Sequence, residues 1–377
     1  MKNFRKLTET DKNICFLHTA NKGKCILAAN PIAEFSESNI EKFERFCEKH
    51  RKNLLIGYIS YDLAYKLYEI KQKAKNDLKL PIINFFAFKN WQEWTNSGKK
   101  AREIIKNSEN INLKTIITKK EYHSTFKKIK NYIRQGEIYQ VNLTHRLEGE
   151  TTLNGRELFL QILTRNPVDY SAYLETKNAE ILSASPESFI KIHKNKIETC
   201  PIKGTRPRGK TTTEDKKMAA ELLKNEKEKA ELNMITDLLR NDLNKICKAG
   251  TVKVIRHRIL QKCPTVWHTY SKIEGIINVK PIQALLSMLP GGSITGCPKK
   301  RAIEIIDELE PKTRGVYTGV IGYISPYQKE VNFNIAIRTL IKKKQKIYLQ
   351  VGGGIVIDSN EKAEFEETMN KAASFLR

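Results

Sequence analysis

"VYTGVIGYISPYQKEVNFNIAIRTLIKKKQKIYLQVGGGIVI", residues 316–357, contains three long apolar and β-branched runs with only short polar breaks between them. The runs are VYTGVIGYI (316–324), VNFNIAIRTLI (331–341) and KIYLQVGGGIVI (346–357), and each reads as a strand. Strands that arrive in a block, with no helix between them, argue for antiparallel pairing rather than a βαβ repeat. Upstream, IYQVNLTHRLEG (138–149), YSAYLE (170–175), ILSAS (181–185), SFIKIH (188–193) and VKVIRHRIL (252–260) continue the pattern. Helical periodicity is interspersed at 119–136, where Gly136 marks the end, and at 213–244, 298–309 and 360–376. This predicts an α+β fold with mainly antiparallel sheets.

Residues 1–115 are less patterned and form the shorter, N-terminal part of the fold. LLIGYISYDLAY (54–65) reads as a buried strand running into a turn, and SESNIEKFERFCEKH (36–50) as an amphipathic helix with a serine cap. The polar stretch 99–120 reads as a connector. Residues 116–377 read as one catalytic unit, integrated with the N-terminal part and free of repeats or low-complexity linkers.

With 377 residues, 40% of them hydrophobic, the chain can bury a large core. Its 67 basic and 42 acidic residues give a net charge of +25. The lysines are dispersed, and the densest short cluster is KKKQK (342–346). No aromatic-interleaved basic motif or recognition-helix pattern accompanies them, so the charge reads as a solvated surface and no nucleic-acid partner is expected. It can still draw anionic substrates or an acidic protein. No apolar run approaches the ~18 residues of a membrane span, and the N-terminus lacks the apolar core of a signal peptide. Seven scattered cysteines without a C-x-x-C pair suggest reduced thiols in a cytoplasmic protein, and none pairs with histidine at zinc-ligand spacing.

Two acidic pairs stand out. Glu228 and Glu231 share one face of a helical pattern, and Glu364 and Glu367 share another, with Ser359 as its cap. Either pair alone reads better as a solvated helix face. Together they could hold a hard divalent ion such as Mg²⁺. LPGGSITGCPKKRAIEII (289–306) brings a Gly/Ser/Thr loop to a helix N-terminus at Pro298, which suits an anion but is not a phosphate-binding P-loop. VGGGIVIDS (351–359) reads as a second glycine turn after a strand and matches no dinucleotide fingerprint. Arg314 and Arg338 lie in or beside apolar strands, where a guanidinium needs an anionic partner. Glu187, after a proline at a strand break, could serve as a general acid. His268 alternates within a strand, where a lone histidine is more often structural than catalytic.

In this order the stretches resemble the chorismate-utilising enzymes, among them anthranilate synthase component I, aminodeoxychorismate synthase component I and the isochorismate and salicylate synthases. The resemblance is carried by GEIYQVNLTHR (136–146), SASPESF (183–189), PIKGTRPRG (201–209) and EKAELNMITDLLRNDL (228–243). It continues through GGSITGCPKKRAIEIIDELEP (291–311), RGVYTGVIGYIS (314–325), NIAIRT (334–339) and GGGIVIDSNEKAEFEETMNKA (352–372), roughly two-thirds of the chain in register.

The resemblance implies two mainly antiparallel sheets packed together with helices outside, and a chorismate site. Glu231 and Glu367 match its direct Mg²⁺ ligands, with Glu228 and Glu364 acting nearby or through water. Glu187 matches the acid that protonates the departing C4 hydroxyl, and His268 the histidine near the reacting ring. Thr205, Thr295, Tyr317, Arg338, Lys371 and the backbone of Gly352, Gly353 and Gly354 match the carboxylate-binding surface. Gln140 stands where the water-using branches carry a lysine, so it implies an amine-transferring member. Lys203 in PIKGT resembles the aminodeoxychorismate synthase branch, in which a lysine amine adds to C2 before ammonia enters at C4; anthranilate synthases resemble PIAGT and are the alternative. None of the cysteines lies in a G-x-C-x-G elbow, so ammonia is expected from a separate glutamine amidotransferase subunit.

Overall fold

The computed structural model describes Phe4 and residues 11–19, 23–95, 111–263 and 266–376. Most of the expected connector, 99–110, lies outside the described residues. Two antiparallel sheets of ten strands each form the body. The first runs in the order Gly296–Cys297, Gln140–Glu150, Lys346–Ile355, Thr339–Lys343, Glu180–Ser185, Tyr170–Glu175, Cys15–His18, Lys24–Ala28 and Gln92–Thr95. The second runs Ile202–Pro207, Val266–Ile276, Lys196–Thr199, Ser188–His193, Glu330–Ile335, Val320–Ile324, Leu54–Ile59, Ile83–Phe88 and Ala33–Glu37. The short strand Lys114–Thr115 and the strand Lys253–Lys262 branch from these paths.

LLIGYI (54–59) shows why both faces of a strand are apolar. Its alternate residues Leu54, Ile56 and Tyr58 join a cluster with Ile26, Leu174, Ile181 and Ile341 of the other sheet. Leu55 and Ile59 point the other way, into a second cluster with Phe43, Phe126, Leu239 and Leu285 from helices. A third cluster covers the outer face of the first sheet with Leu158, Phe159, Ala372 and Phe375, also from helices. The architecture is therefore two antiparallel sheets packed together through one apolar layer, with helices closing the outer faces.

Four local readings are corrected. VNFNIAIRTLI is two strands, not one: Glu330–Ile335 belongs to the second sheet and Thr339–Lys343 to the first. The chain changes sheet at Ala336–Arg338, with Arg338 at φ 49°. The pattern 213–244 is likewise two helices, Thr212–Lys224 and Glu226–Asn244, because Asn225 is extended and its side chain caps the second. Gly352, Gly353 and Gly354 lie inside the strand Lys346–Ile355 rather than in a turn after it. The serine caps give way to asparagines: Asn39 caps Ile40–Lys49, and Asn360 accepts from the Ala363 N–H at the start of Glu361–Leu376.

Candidate active site

A cavity of about 1040 Å³ opens where the edge strand Ile202–Pro207, the glycine strand, the N-terminal turns of the helix Glu226–Asn244 and one face of the helix Glu361–Leu376 converge. Its walls include Lys203, Thr205, Glu187, His268, Tyr317, Arg338, Lys371, the three glycines and all four glutamates. Gly204, at φ +77°, is the extra residue of a bulge, since Lys203 pairs with Thr269 and Thr205 with His268. A side chain there would meet Leu222 and the Glu228 carboxylate, so glycine is what lets the helix approach the strand. The glycine strand acts the same way. A Cβ on Gly352 would lie 2.6 Å from the Leu143 carbonyl, and one on Gly354 would lie 2.5 Å from Gln140 Nε2 and 3.7 Å from Lys203 Nζ.

Glu187 is 7% exposed, and burial raises its carboxyl to about 7 against the opposing effects of the Ser293 hydroxyl and the Lys203 charge. Ser293 Oγ donates to Glu187 Oε1 at 2.7 Å. The acid is thus substantially protonated at neutral pH, as a proton donor must be. His268 Nδ1 lies 2.9 Å from Thr205 Oγ1 and 3.3 Å from the Gly204 carbonyl. Burial and then the Arg338 charge lower its pKa, which favours the neutral imidazole. A proton on Nδ1 would serve the Gly204 carbonyl and leave Nε2 as an acceptor.

The two arginines separate here. Arg314 is fully buried and spends its guanidinium on Glu310, donating from Nε to Oε2 at 2.9 Å and from Nη2 to Oε1 at 2.7 Å. Arg338 lines the cavity without an ion-pair partner among the described residues, and burial lowers its pKa. A cation desolvated in this way is a ready receptor for a ligand carboxylate. Tyr317 also lines the cavity, its phenol pushed up by burial.

Each glutamate is held by a basic side chain. Arg206 Nη1 donates to Glu228 Oε1 at 2.8 Å, and Lys203 Nζ lies 3.7 Å from Glu231 Oε2. Lys227 Nζ donates to Glu364 Oε1 at 3.3 Å, and Lys371 Nζ lies 2.8 Å from Glu367 Oε1. Lys371 also donates to the Gly352 carbonyl at 2.9 Å, and Ser359 donates to Glu364 Oε1 at 2.6 Å. Burial opposes ionisation of Glu367, but Lys371, Lys227 and Lys203 together hold its pKa below the ordinary value. Four carboxylates on two helices facing one cavity form the all-oxygen donor set that a hard divalent ion takes. Glu228 Oε2, buried with no hydrogen-bond partner, is a free donor within that set. In chemistry the residues fit Mg²⁺. Among the described residues no three acidic, histidine or cysteine side chains lie close enough to ligate one ion, and basic groups pair with the four glutamates.

Two expected residues lie off the cavity wall. Thr295 is fully buried, and its hydroxyl donates to the Gly291 carbonyl at 2.8 Å. Gln140, 1% exposed, packs under Gly354 with its Oε1 unpartnered. Conversely, Arg206, Lys227, Ser293 and Asn142 line the cavity although nothing in their spacing marks them. Ser293 and Arg206 sit inside recognisable motifs. Lys227 has no sequence signal beyond its place next to Glu228. Beside the Pro298 helix start, buried Lys299 pairs with Asp242 at 2.5 Å, and Ser293 and Ile294 of the preceding loop line the cavity. All seven cysteines are free thiols, and no helix of the described residues is long and apolar enough to cross a membrane.

The comparisons agree with this geometry. Residues 8–377 match the model of the chorismate binding enzyme family. The chain is 32% identical to anthranilate synthase component 1 of Acetivibrio thermocellus, over 98% of this chain and 84% of the relative. It is 35% identical to aminodeoxychorismate synthase component 1 of Bacillus subtilis (strain 168), over 85% of this chain and 76% of the relative. Among solved structures it resembles anthranilate synthase component I from Streptococcus pneumoniae TIGR4, with a TM-score of 0.84 and 27% identity, covering 99% of this chain and 96% of that one. The chain belongs to the chorismate binding enzyme family.

Proposed function

We propose that the chain converts chorismate and ammonia to 4-amino-4-deoxychorismate, the reaction of an aminodeoxychorismate synthase component 1 that serves 4-aminobenzoate and folate synthesis. The observation that carries this is Lys203, whose amine enters the cavity beside Gly354 and lies near enough for its charge to act on Glu187.

Arg338, with Tyr317 and the backbone of Gly352–Gly354, receives the substrate carboxylates and fixes the ring. Mg²⁺, when bound to Glu231 and Glu367 with Glu228 and Glu364 nearby, supplies Lewis-acid polarisation of the substrate. Once its ammonium has given up a proton to solvent, Lys203 forms a C–N bond at C2 as the ring double bonds shift and the C4–O bond breaks. The departing hydroxyl takes the Glu187 proton and leaves as water. Ammonia then bonds to C4, the electrons shift back, and the C2–N bond to Lys203 breaks. His268 holds the loop through Gly204 and presents a neutral imidazole to the ring. Ammonia reaches the site from a separate glutamine amidotransferase subunit.

The test is product identity. Purified protein with chorismate, Mg²⁺ and ammonium should form 4-amino-4-deoxychorismate by liquid chromatography and mass spectrometry, and chelation of the metal should stop turnover. Lys203→Ala should lose the covalent adduct and release some anthranilate. Anthranilate as the sole wild-type product would overturn the assignment. It would favour the second reading, anthranilate synthesis, which the relative spanning 98% of the chain supports.

A further inference from the structure

We infer that Lys227 is a resident counter-ion of the four-glutamate site, one that sets its affinity for a divalent cation and leaves when the cation binds. The inference rests on the metal reading of that site and concerns a residue outside the expected ligand set.

Among the described residues, Lys227 is the one of the four basic groups that ion-pairs from one glutamate-bearing helix to the other, although the charge of Lys203, paired with Glu231, also reaches Glu367. It stands on Glu226–Asn244, between the cap and Glu228, and reaches across to Glu364 on Glu361–Leu376. Arg206 and Lys203 tie the first helix to the strand Ile202–Pro207, and Lys371 pairs within its own helix. Two helices that each present two carboxylates to one cavity repel one another unless a cation lies between them. Lys227 supplies part of that charge, alongside Lys203 on the strand Ile202–Pro207. Its target is the least exposed of the four carboxylates, with 8% of the Glu364 side chain accessible, whereas the Lys227 side chain is 45% accessible and free to swing into solvent. Ser359 already holds Glu364 Oε1 at 2.6 Å, so the carboxylate stays placed when the lysine departs. A buried, pre-oriented carboxylate paired with a mobile cation is the arrangement from which an incoming ion can take the anion at least cost.

The test uses Mn²⁺ as probe, read by electron paramagnetic resonance of the free ion, with no substrate present. Lys227→Met should bind Mn²⁺ about fivefold more tightly than wild type, the scale of a partly exposed ion pair. Lys227→Arg should bind as wild type, and Glu364→Gln should bind more weakly than either. In parallel, the melting temperature of Lys227→Met should start lower and rise more on adding Mn²⁺. Equal or weaker Mn²⁺ binding by Lys227→Met would overturn the role given to Lys227 while leaving the metal site intact. Failure of wild type to bind Mn²⁺ at millimolar concentration would instead overturn the metal reading itself.

Discussion

Glu187 is the residue whose environment says most about its chemistry. A carboxyl raised to about 7 by burial delivers a proton at neutral pH and stops doing so as the medium becomes basic. Turnover should therefore fall as pH rises through about 7. Glu187→Gln should lose roughly 10²- to 10⁴-fold in kcat together with that limb of the profile. The same shift predicts a stability effect. The folded value lies above the unfolded one, so native protein is favoured at low pH and loses that advantage between about pH 4 and 7. Urea melts at pH 8 should show Glu187→Gln more stable than wild type by roughly 2 kcal/mol, and at pH 4 the two should be close. Equal stabilities at pH 8 would mean the carboxylate is better solvated than its burial indicates. The sequence marks Glu187 only by a proline and a strand break. Its raised pKa comes from burial that the fold imposes, moderated by Ser293, more than a hundred positions away in the chain.

Among the elements, the glycine strand and the two glutamate helices repay closest reading. Three consecutive glycines look like a turn, because glycine is the usual residue where the chain reverses. Here they keep ladder pairing with Asn142–Thr144 and clear space on the cavity floor. Gly354→Ala should pack its methyl against Gln140 and Lys203, raising KM for chorismate about tenfold or more with a smaller change in melting temperature. Gly352→Ala presses on a main-chain carbonyl and should cost roughly 1–3 kcal/mol of stability. A reversed order of effects would place the substrate over Gly352 instead. The helix pattern 213–244 was legible as helix but not as two, since one asparagine decides the break. That break gives Glu228 and Glu231 a helix N-terminus, where the dipole favours carboxylates.

For the whole molecule, the net charge of +25 and the unpartnered Arg338 act in the same direction on an anionic substrate. The value of kcat/KM for chorismate should fall several-fold between about 50 and 300 mM NaCl as the field is screened. Indifference to salt would confine recognition to short-range contacts inside the cavity. The antiparallel sheets were readable because period-2 alternation and helix-free runs report local burial directly, whereas their packing as two sheets was implied only by the family resemblance. The sheet change at Ala336–Arg338 was not, because an apolar run reads alike whichever sheet it enters.

By itself, the sequence determined the fold class, the family and many of the strands, and it marked Lys203, Glu187 and the four glutamates that the cavity brings together, because these rest on local pattern and residue type. Only the tertiary structure decided which polar groups meet. It turned Arg314 inward to Glu310 and left Arg338 open to the cavity, and it buried Thr295 and Gln140. It also placed Lys227 across the space between two carboxylate-bearing helices. Each of those outcomes depends on desolvation and on contacts between distant segments, and neither is encoded in spacing along the chain.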